Sequence, residues 1–191
     1  MAAPGGSGPI GPYPPHVDDT DEAHDEYDRL RRRVLWTMPY GLYVVGSRAT
    51  VDGVVRRNLM TLNWATQVSF EPKLIGIGVE KPALTHQLVD VGRVFTLCTI
   101  ARDDRAIVRK FTKPVEVDEA AGTMNGFAYV DGTTGAPILA SAPAYLDCEV
   151  RQQVDVGQHT FFIGEVLDVG FHGDEATEVL RMEDTRMNYG G

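Results

Sequence analysis

Between Gly41 and Phe171 the chain is a succession of apolar, β-branched runs, each bounded by turn residues and interrupted only by short helical stretches. G-L-Y-V-V-G-S-R reads as a strand, and the D-G-V that follows as a turn. N-L-M-T-L-N-W-A-T-Q-V-S-F reads as one long strand ending at Glu71-Pro72. K-L-I-G-I-G-V-E and R-V-F-T-L-C-T-I are further strands. A-Y-L-D-C-E-V-R-Q-Q-V and H-T-F-F-I-G-E-V-L-D-V-G-F complete the set, joined into a hairpin by D-V-G-Q. Short helices are predicted in A-L-T-H-Q-L-V-D-V-G, closed by Gly92, and in D-D-R-A-I-V-R-K-F, with a polar, Gly-rich loop from there through T-T-G-A-P. There is no regular β-α-β alternation, which argues against a doubly wound parallel sheet. Roughly five or six strands without covering helices would expose sheet edges unless the sheet closes on itself. The expected fold is therefore mainly β with short helices, a closed and mostly antiparallel barrel.

The remaining organisation follows from composition. The 191 residues are 43% hydrophobic and 24% charged, values of an ordinary globular chain with one main core. Residues 1–17, rich in Gly and Pro, cannot bury enough apolar surface to offset their ordering entropy. They read as a flexible arm, or as one that orders only against a partner subunit. Residues 18–38 read as a helix: acids come first and bases last, as the macrodipole favours. Asp18, Asp19 or Thr20 can cap it, Tyr27, Leu30, Val34 and Leu35 recur at helical spacing, and Pro39 ends it. The barrel is expected over 39–175 and a polar tail over 176–191. The net charge of −9 supplies no basic footprint for nucleic acid or an anionic membrane, so neither is an expected partner. The N-terminus has no basic and apolar signal-peptide pattern, and no run approaches the roughly 18 apolar residues of a membrane span. A cytoplasmic protein is expected.

Several chemistries drop out. His16, His24, His86, His159 and His172 show no partner His or Cys at ligand spacing, so no metal site is expected. Cys98 and Cys148 lie in apolar strand-like runs and read as small buried hydrophobes. No Gly-x-Ser-x-Gly, Gly-x-Gly-x-x-Gly or Walker loop is present. Three segments remain. In T-L-N-W-A-T-Q-V-S, residues 61–69, small polar side chains alternate along a strand. They form either a solvent face or a row that hydrogen-bonds a planar heteroaromatic edge and a polyol, with Trp64 offering stacking area. In E-K-P-A-L-T-H, residues 80–86, Thr85 stands near a helix N-terminus where N–H groups and the dipole favour an anion, and Lys81 adds charge. A phosphate site and a plain Thr cap beside a surface Lys both fit. In G-Q-H-T-F-F-I-G-E-V, His159 stands where a turn meets a strand, as polar surface or facing a pocket.

Taken together, M-P-Y-G-L-Y-V-V-G, N-L-M-T-L-N-W-A-T-Q-V-S-F-E-P-K-L-I-G-I-G-V and G-Q-H-T-F-F-I-G-E-V resemble the flavin reductase family, the FMN-binding split β-barrels, over about residues 36–171. The closing N-Y-G-G is similar to the ending of a subgroup that includes reductase components of two-component monooxygenases. The resemblance implies a Greek-key-like antiparallel barrel that reduces FMN or FAD with NADH or NADPH. It implies a homodimer with flavin at the subunit interface and a monooxygenase as the recipient of reduced flavin. It places Thr61, Asn63, Trp64, Ala65, Thr66 and Gln67, partly through their backbone, along the isoalloxazine and ribityl chain. Glu80, Lys81 and Thr85 fall at the phosphate, Phe111 near the flavin, and His159, the catalytic candidate, near the nicotinamide. Gln158 stands where the family more often has Asp, so a His–acid pair is not implied here. Hydride transfer belongs to the cofactors, which explains the lack of a catalytic triad. Three alternatives are a non-catalytic flavin carrier or sensor, another FMN or deazaflavin oxidoreductase on the same barrel, and a pure interaction domain.

Overall fold

The computed structural model describes residues 13–185, which fall into two compact units, one reaching Pro39 and one beginning at Tyr40. The first is built on helix α1 (Asp21–Leu35). Thr20 is its cap: the Ala23 N–H donates to the Thr20 hydroxyl at 3.3 Å. Asp21 and Glu22 occupy the first turn and Arg32 and Arg33 the last, each sign at the favourable end of the dipole. The helix stops at Leu35, four residues before Pro39, and a turn completes the connection. Tyr13, part of the expected flexible arm, stacks on His24 at 3.8 Å and donates to Asp28 at 3.1 Å. Residues 1–12 of that arm and the N-Y-G-G ending lie outside the described residues.

The second unit carries β1 (Tyr43–Val51), β2 (Val54–Leu62), β3 (Ala65–Ser69), β4 (Leu74–Glu80), α2 (Leu84–Gly92), β5 (Val94–Thr99) and α3 (Ala106–Lys110). It continues with β6 (Val117–Asp118), β7 (Thr123–Met124), β8 (Phe127–Asp131), β9 (Pro137–Leu139), β10 (Ala144–Asp155) and β11 (His159–Phe171). Seven strands form an antiparallel sheet in the order β2-β1-β5-β10-β11-β4-β3. β2 and β3 stand at opposite ends of that order, yet only Asn63 and Trp64 separate them in sequence. The sheet must curl until its edges meet at this corner, which makes it the expected barrel. Val45, Leu62, Ile77, Val79, Phe95, Leu97, Val150 and Phe162 fill the interior. At about 25 cal/mol per Å² their burial is the main term holding the barrel together.

Three expectations are corrected. The run from Asn58 to Phe70 is two strands, because barrel closure breaks it at Asn63 and Trp64. Gly92 does not close α2 in a left-handed conformation: Arg93 takes that role, with φ 59°. Gly92 is instead the point of closest approach to β1. A Cβ there would enter the Arg48 carbonyl oxygen, with Arg48 C at 2.9 Å and Ala49 Cα at 3.2 Å. The supposed loop after α3 holds a second, four-stranded sheet, β6-β7-β8-β9, whose central hairpin turns at Asn125-Gly126 with φ 49° and 82°. This sheet docks on the barrel through the Thr96 hydroxyl, which donates to Pro137 O at 2.5 Å. Asp147 ties down the loop before β9, accepting from the Thr134 N–H at 2.8 Å and the Thr134 hydroxyl at 2.5 Å. Burial still holds its carboxyl above the usual range.

Beyond β11, the Leu42 N–H donates to Leu180 O at 3.2 Å and the Leu180 N–H to Ile100 O at 2.8 Å, so this stretch of the expected tail is strapped to the barrel. Cys98 and Cys148 are free and buried, and burial pushes their thiols up to about 11 and about 12. Among the described residues no helix is long and apolar enough to cross a membrane, and no group of three His, Cys, Asp or Glu converges as metal ligands.

Candidate active site

The corner that closes the barrel gathers the first group. Thr61, at the end of β2, is fixed to α3: its N–H donates to Phe111 O at 3.0 Å and its hydroxyl to Val108 O at 2.8 Å. The Phe111 ring is buried and packs on Phe127 at 5.6 Å, so Phe111 meets the corner through its carbonyl. Asn63 follows, 5% exposed, and its Nδ2 has no hydrogen-bond partner. A buried donor left unmade costs about 1–3 kcal/mol, so it is a group for which a ligand acceptor would be favourable. The Gly78 N–H donates to Trp64 O at 2.9 Å, and the Trp64 indole lies over Gly78. On its other flank the indole meets the His159 ring, centroids 4.6 Å apart and tilted by 51°. Ala65 pairs with Ile77 and packs on the barrel core. Thr66 and Gln67 lie exposed on β3, the edge strand, where the Thr66 hydroxyl donates to Gln67 O at 3.2 Å and Gln67 Nε2 to Ser69 O at 3.1 Å.

The second group joins residues 80–86 to residues 155–160. Glu80 stands opposite His159 in the β4–β11 ladder. The Lys81 N–H donates to Gln158 O at 3.0 Å, and Lys81 Nζ lies 2.9 Å from each carboxylate oxygen of Asp155. Helix α2 begins at Leu84 with Ala83 at its cap position and no side-chain cap bond, which leaves its first N–H groups without that partner. Thr85 turns out to be fully buried: Asn58 Nδ2 donates to its hydroxyl at 2.8 Å. The Thr85 hydroxyl is thus committed to Asn58 and ties the start of α2 to β2. His86, which sequence reasoning passed over, places Nε2 2.7 Å from the Thr160 hydroxyl and its ring 5.3 Å from that of Phe162. Burial pushes its imidazole below the ordinary histidine value, with nearby Asp90 opposing the shift and Lys81 adding to it.

The structure thus brings Trp64 to His159, Glu80 and Lys81 to the same hairpin end, and Thr61 to Phe111. It leaves Thr66 and Gln67 on the open edge and turns the Thr85 hydroxyl inward. Asn58, His86 and Asp155, not singled out from the sequence, contact Thr85, Thr160 and Lys81 respectively; the D-V-G-Q turn that contains Asp155 was the available signal for that residue.

A family model described as flavin reductase like domain matches residues 35–191. An NADH-dependent FAD reductase from Streptomyces globisporus is 34% identical over 154 residues, 76% of this chain and 78% of that protein. Among solved structures, the Streptomyces globisporus C-1027 NADH:FAD oxidoreductase in complex with NAD and FAD fragments superposes with a TM-score of 0.67 at 30% identity, covering 86% of this chain and 90% of that one. The styrene monooxygenase flavin reductase from Pseudomonas putida S12 gives a TM-score of 0.63 at 25% identity, covering 80% and 90%. With most of its length matched by the family model and by a relative of this similarity, the chain belongs to the flavin reductase-like domain family.

Proposed function

We propose that this chain is an NAD(P)H-dependent flavin reductase that reduces FMN or FAD and hands the reduced flavin to a monooxygenase. The observation that carries the reading is the barrel-closing corner, where a buried, unpaired Asn63 amide stands beside the Trp64–His159 ring pair. When bound, the cofactors supply the chemistry, hydride leaving nicotinamide C4 for flavin N5. The chain's part is to hold the rings and exclude water. Asn63 donates to the flavin ring edge or its ribityl chain, and main-chain groups of Thr61, Trp64 and Ala65 line the same corner. Thr66 and Gln67 on the edge strand offer further polar groups to the polyol. Lys81 and the exposed N–H end of α2 hold the phosphate, and Thr85 fixes that end through its bond from Asn58. Glu80 orders the Lys81 turn by accepting from the Ala83 N–H at 3.0 Å. Phe111 keeps Thr61 in place. The His159 imidazole, flanked by Trp64, orients the nicotinamide.

The names of the relatives support NADH as donor and a monooxygenase as recipient. A homodimer with flavin at the interface belongs to the same reading. Its support is a row of outward residues on β11, with Leu167, Val169 and Phe171 at 46%, 56% and 57% exposure. The test is an anaerobic mixture of protein, FMN or FAD, and NADH or NADPH, followed at the flavin absorbance, with sedimentation for the assembly. Bleaching with many turnovers once air is admitted is expected. Bound flavin that no pyridine nucleotide reduces would overturn the reading in favour of a flavin carrier.

A further inference from the structure

We infer that Asp155 is a built-in competitor for the flavin phosphate, setting the site to release flavin as a substrate instead of retaining it. The inference rests on the flavin-binding reading above. Lys81 is the only lysine or arginine between Glu80 and Gln87. Its ammonium is held by both carboxylate oxygens of Asp155, at 2.9 Å each. That carboxylate is fixed in turn by the Gly157 N–H at 2.9 Å. A phosphate would offer the same lysine much the same thing, paired oxygens carrying negative charge.

Competition requires that Asp155 travel with Lys81, and the backbone ensures this. The Lys81 N–H is bonded to Gln158 O, Glu80 pairs with His159, and His86 is hydrogen-bonded to Thr160. The segment that would receive the phosphate and the hairpin end that carries Asp155 are one mechanical unit. An incoming phosphate must take Lys81 from Asp155 or share it with a like charge. Glu80, exposed at the start of the same turn, adds to the opposing charge. Lys81 and Asp155 are 39% and 73% exposed, so water and salt screen the pair. Exposed pairs of this kind shift an equilibrium by about two- to fivefold. A modest penalty of that size shortens residence without abolishing binding, which suits a flavin that must leave in its reduced state.

The experiment measures FMN and riboflavin affinity by flavin fluorescence in the full chain and in Asp155→Asn, Asp155→Ala and the double variant Asp155→Asn/Lys81→Gln. Riboflavin lacks the phosphate and isolates the ring. Asp155→Asn is expected to tighten FMN by about two- to fivefold while leaving riboflavin unchanged. The gain should vanish in the double variant and shrink at high salt. An unchanged or lowered FMN-to-riboflavin affinity ratio in both Asp155 variants would overturn the competitor role alone. Failure of the unmodified chain to bind either flavin would overturn the flavin-site reading and this inference with it.

Discussion

Asn63→Leu separates what the fold needs from what the site needs. Asn and Leu share the same branched skeleton of four side-chain heavy atoms, leucine being the bulkier, and Asn63 is 5% exposed beside Leu62 of the interior core. Its unpaired Nδ2 is a standing cost of about 1–3 kcal/mol in the flavin-free protein. Leucine removes that donor without leaving a cavity, so recovery of roughly 1 kcal/mol is expected. For a chain of this size that raises the melting temperature by about 2–4 °C. The same substitution deletes one hydrogen bond to bound flavin, worth about 0.5–1.5 kcal/mol, or about two- to twelvefold in Kd. Stability and affinity should therefore move in opposite directions. Thermal unfolding by circular dichroism without flavin, and FMN and riboflavin titrations with it, read the two quantities separately. A melting temperature that falls by several degrees with flavin affinity intact would refute the reasoning, because Asn63 would then be a structural hydrogen-bonding residue. A gain in stability at a cost to function is the trade expected of a binding group held ready in a packed core.

Other outcomes follow from the same geometry. Trp64→Ala and His159→Ala should each weaken NADH binding by about two- to twelvefold, the range of one aromatic contact, and the double variant should cost less than the product, as steady-state KM values will reveal. Gly92→Ala should lower the urea midpoint by an amount equivalent to about 1–3 kcal/mol, since its methyl meets the backbone of Arg48 and only a shift of α2 relieves it. The His86 imidazole has a folded-state pKa below its ordinary value, so the unfolded chain takes up the proton first. Stability is fully present above the ordinary histidine value, about 6.5, and is lost as pH falls through the folded value; His86→Gln should flatten that slope in acid-unfolding curves. Cys98 and Cys148, with thiols pushed up to about 11 and about 12, should resist iodoacetamide at pH 8 until denaturant is added, as mass spectrometry will show.

Local chemistry was legible wherever a few neighbouring residues decide the conformation. Thr20 caps α1, Asp52 and Gly53 turn β1 into β2 with φ 51° and 77°, and the D-V-G-Q turn links β10 to β11. The Asn125-Gly126 hairpin carried the same kind of signal but was passed over, because the flanking strands Thr123–Met124 and Phe127–Asp131 are too short to show alternation. Residues whose role is set by distant partners were not legible. The local rule puts a Gly in the left-handed position after a helix, and only the approach of β1 explains why Gly92 stays helical while Arg93 takes that conformation. Thr85 reads as a helix-start residue, but Asn58, 27 positions earlier, draws its hydroxyl into the barrel. Lys81 reads as a free surface charge, and Asp155, 74 positions later, neutralises it. Trp64 reads as stacking area and His159 as a turn histidine that could face a pocket, but neither position on its own announces their contact, which the β4–β11 pairing makes.

Barrel closure also explains why the polar groups of the site sit where they do. In a closed antiparallel sheet nearly every main-chain donor and acceptor is committed to a neighbour, and a polar side chain pointing inward would disrupt the core. The turn between β2 and β3 is different, because there the chain passes from one end of the strand order to the other. Asn63 leaves the ladder at that point: the Ala65 N–H folds back to Asn63 O at 3.1 Å, while Trp64 O already accepts from Gly78 on β4. A buried amide can be kept there without sacrificing a ladder bond. The β4–β11 pairing, one strand in from β3, also sets His159 beside Glu80 and brings its ring against Trp64. The ring-binding groups are therefore a product of closing the sheet. A change that loosens closure, such as a deletion that shortens the Asn63–Trp64 connection, should lose flavin binding before it loses secondary structure, and should do so equally for FMN and riboflavin.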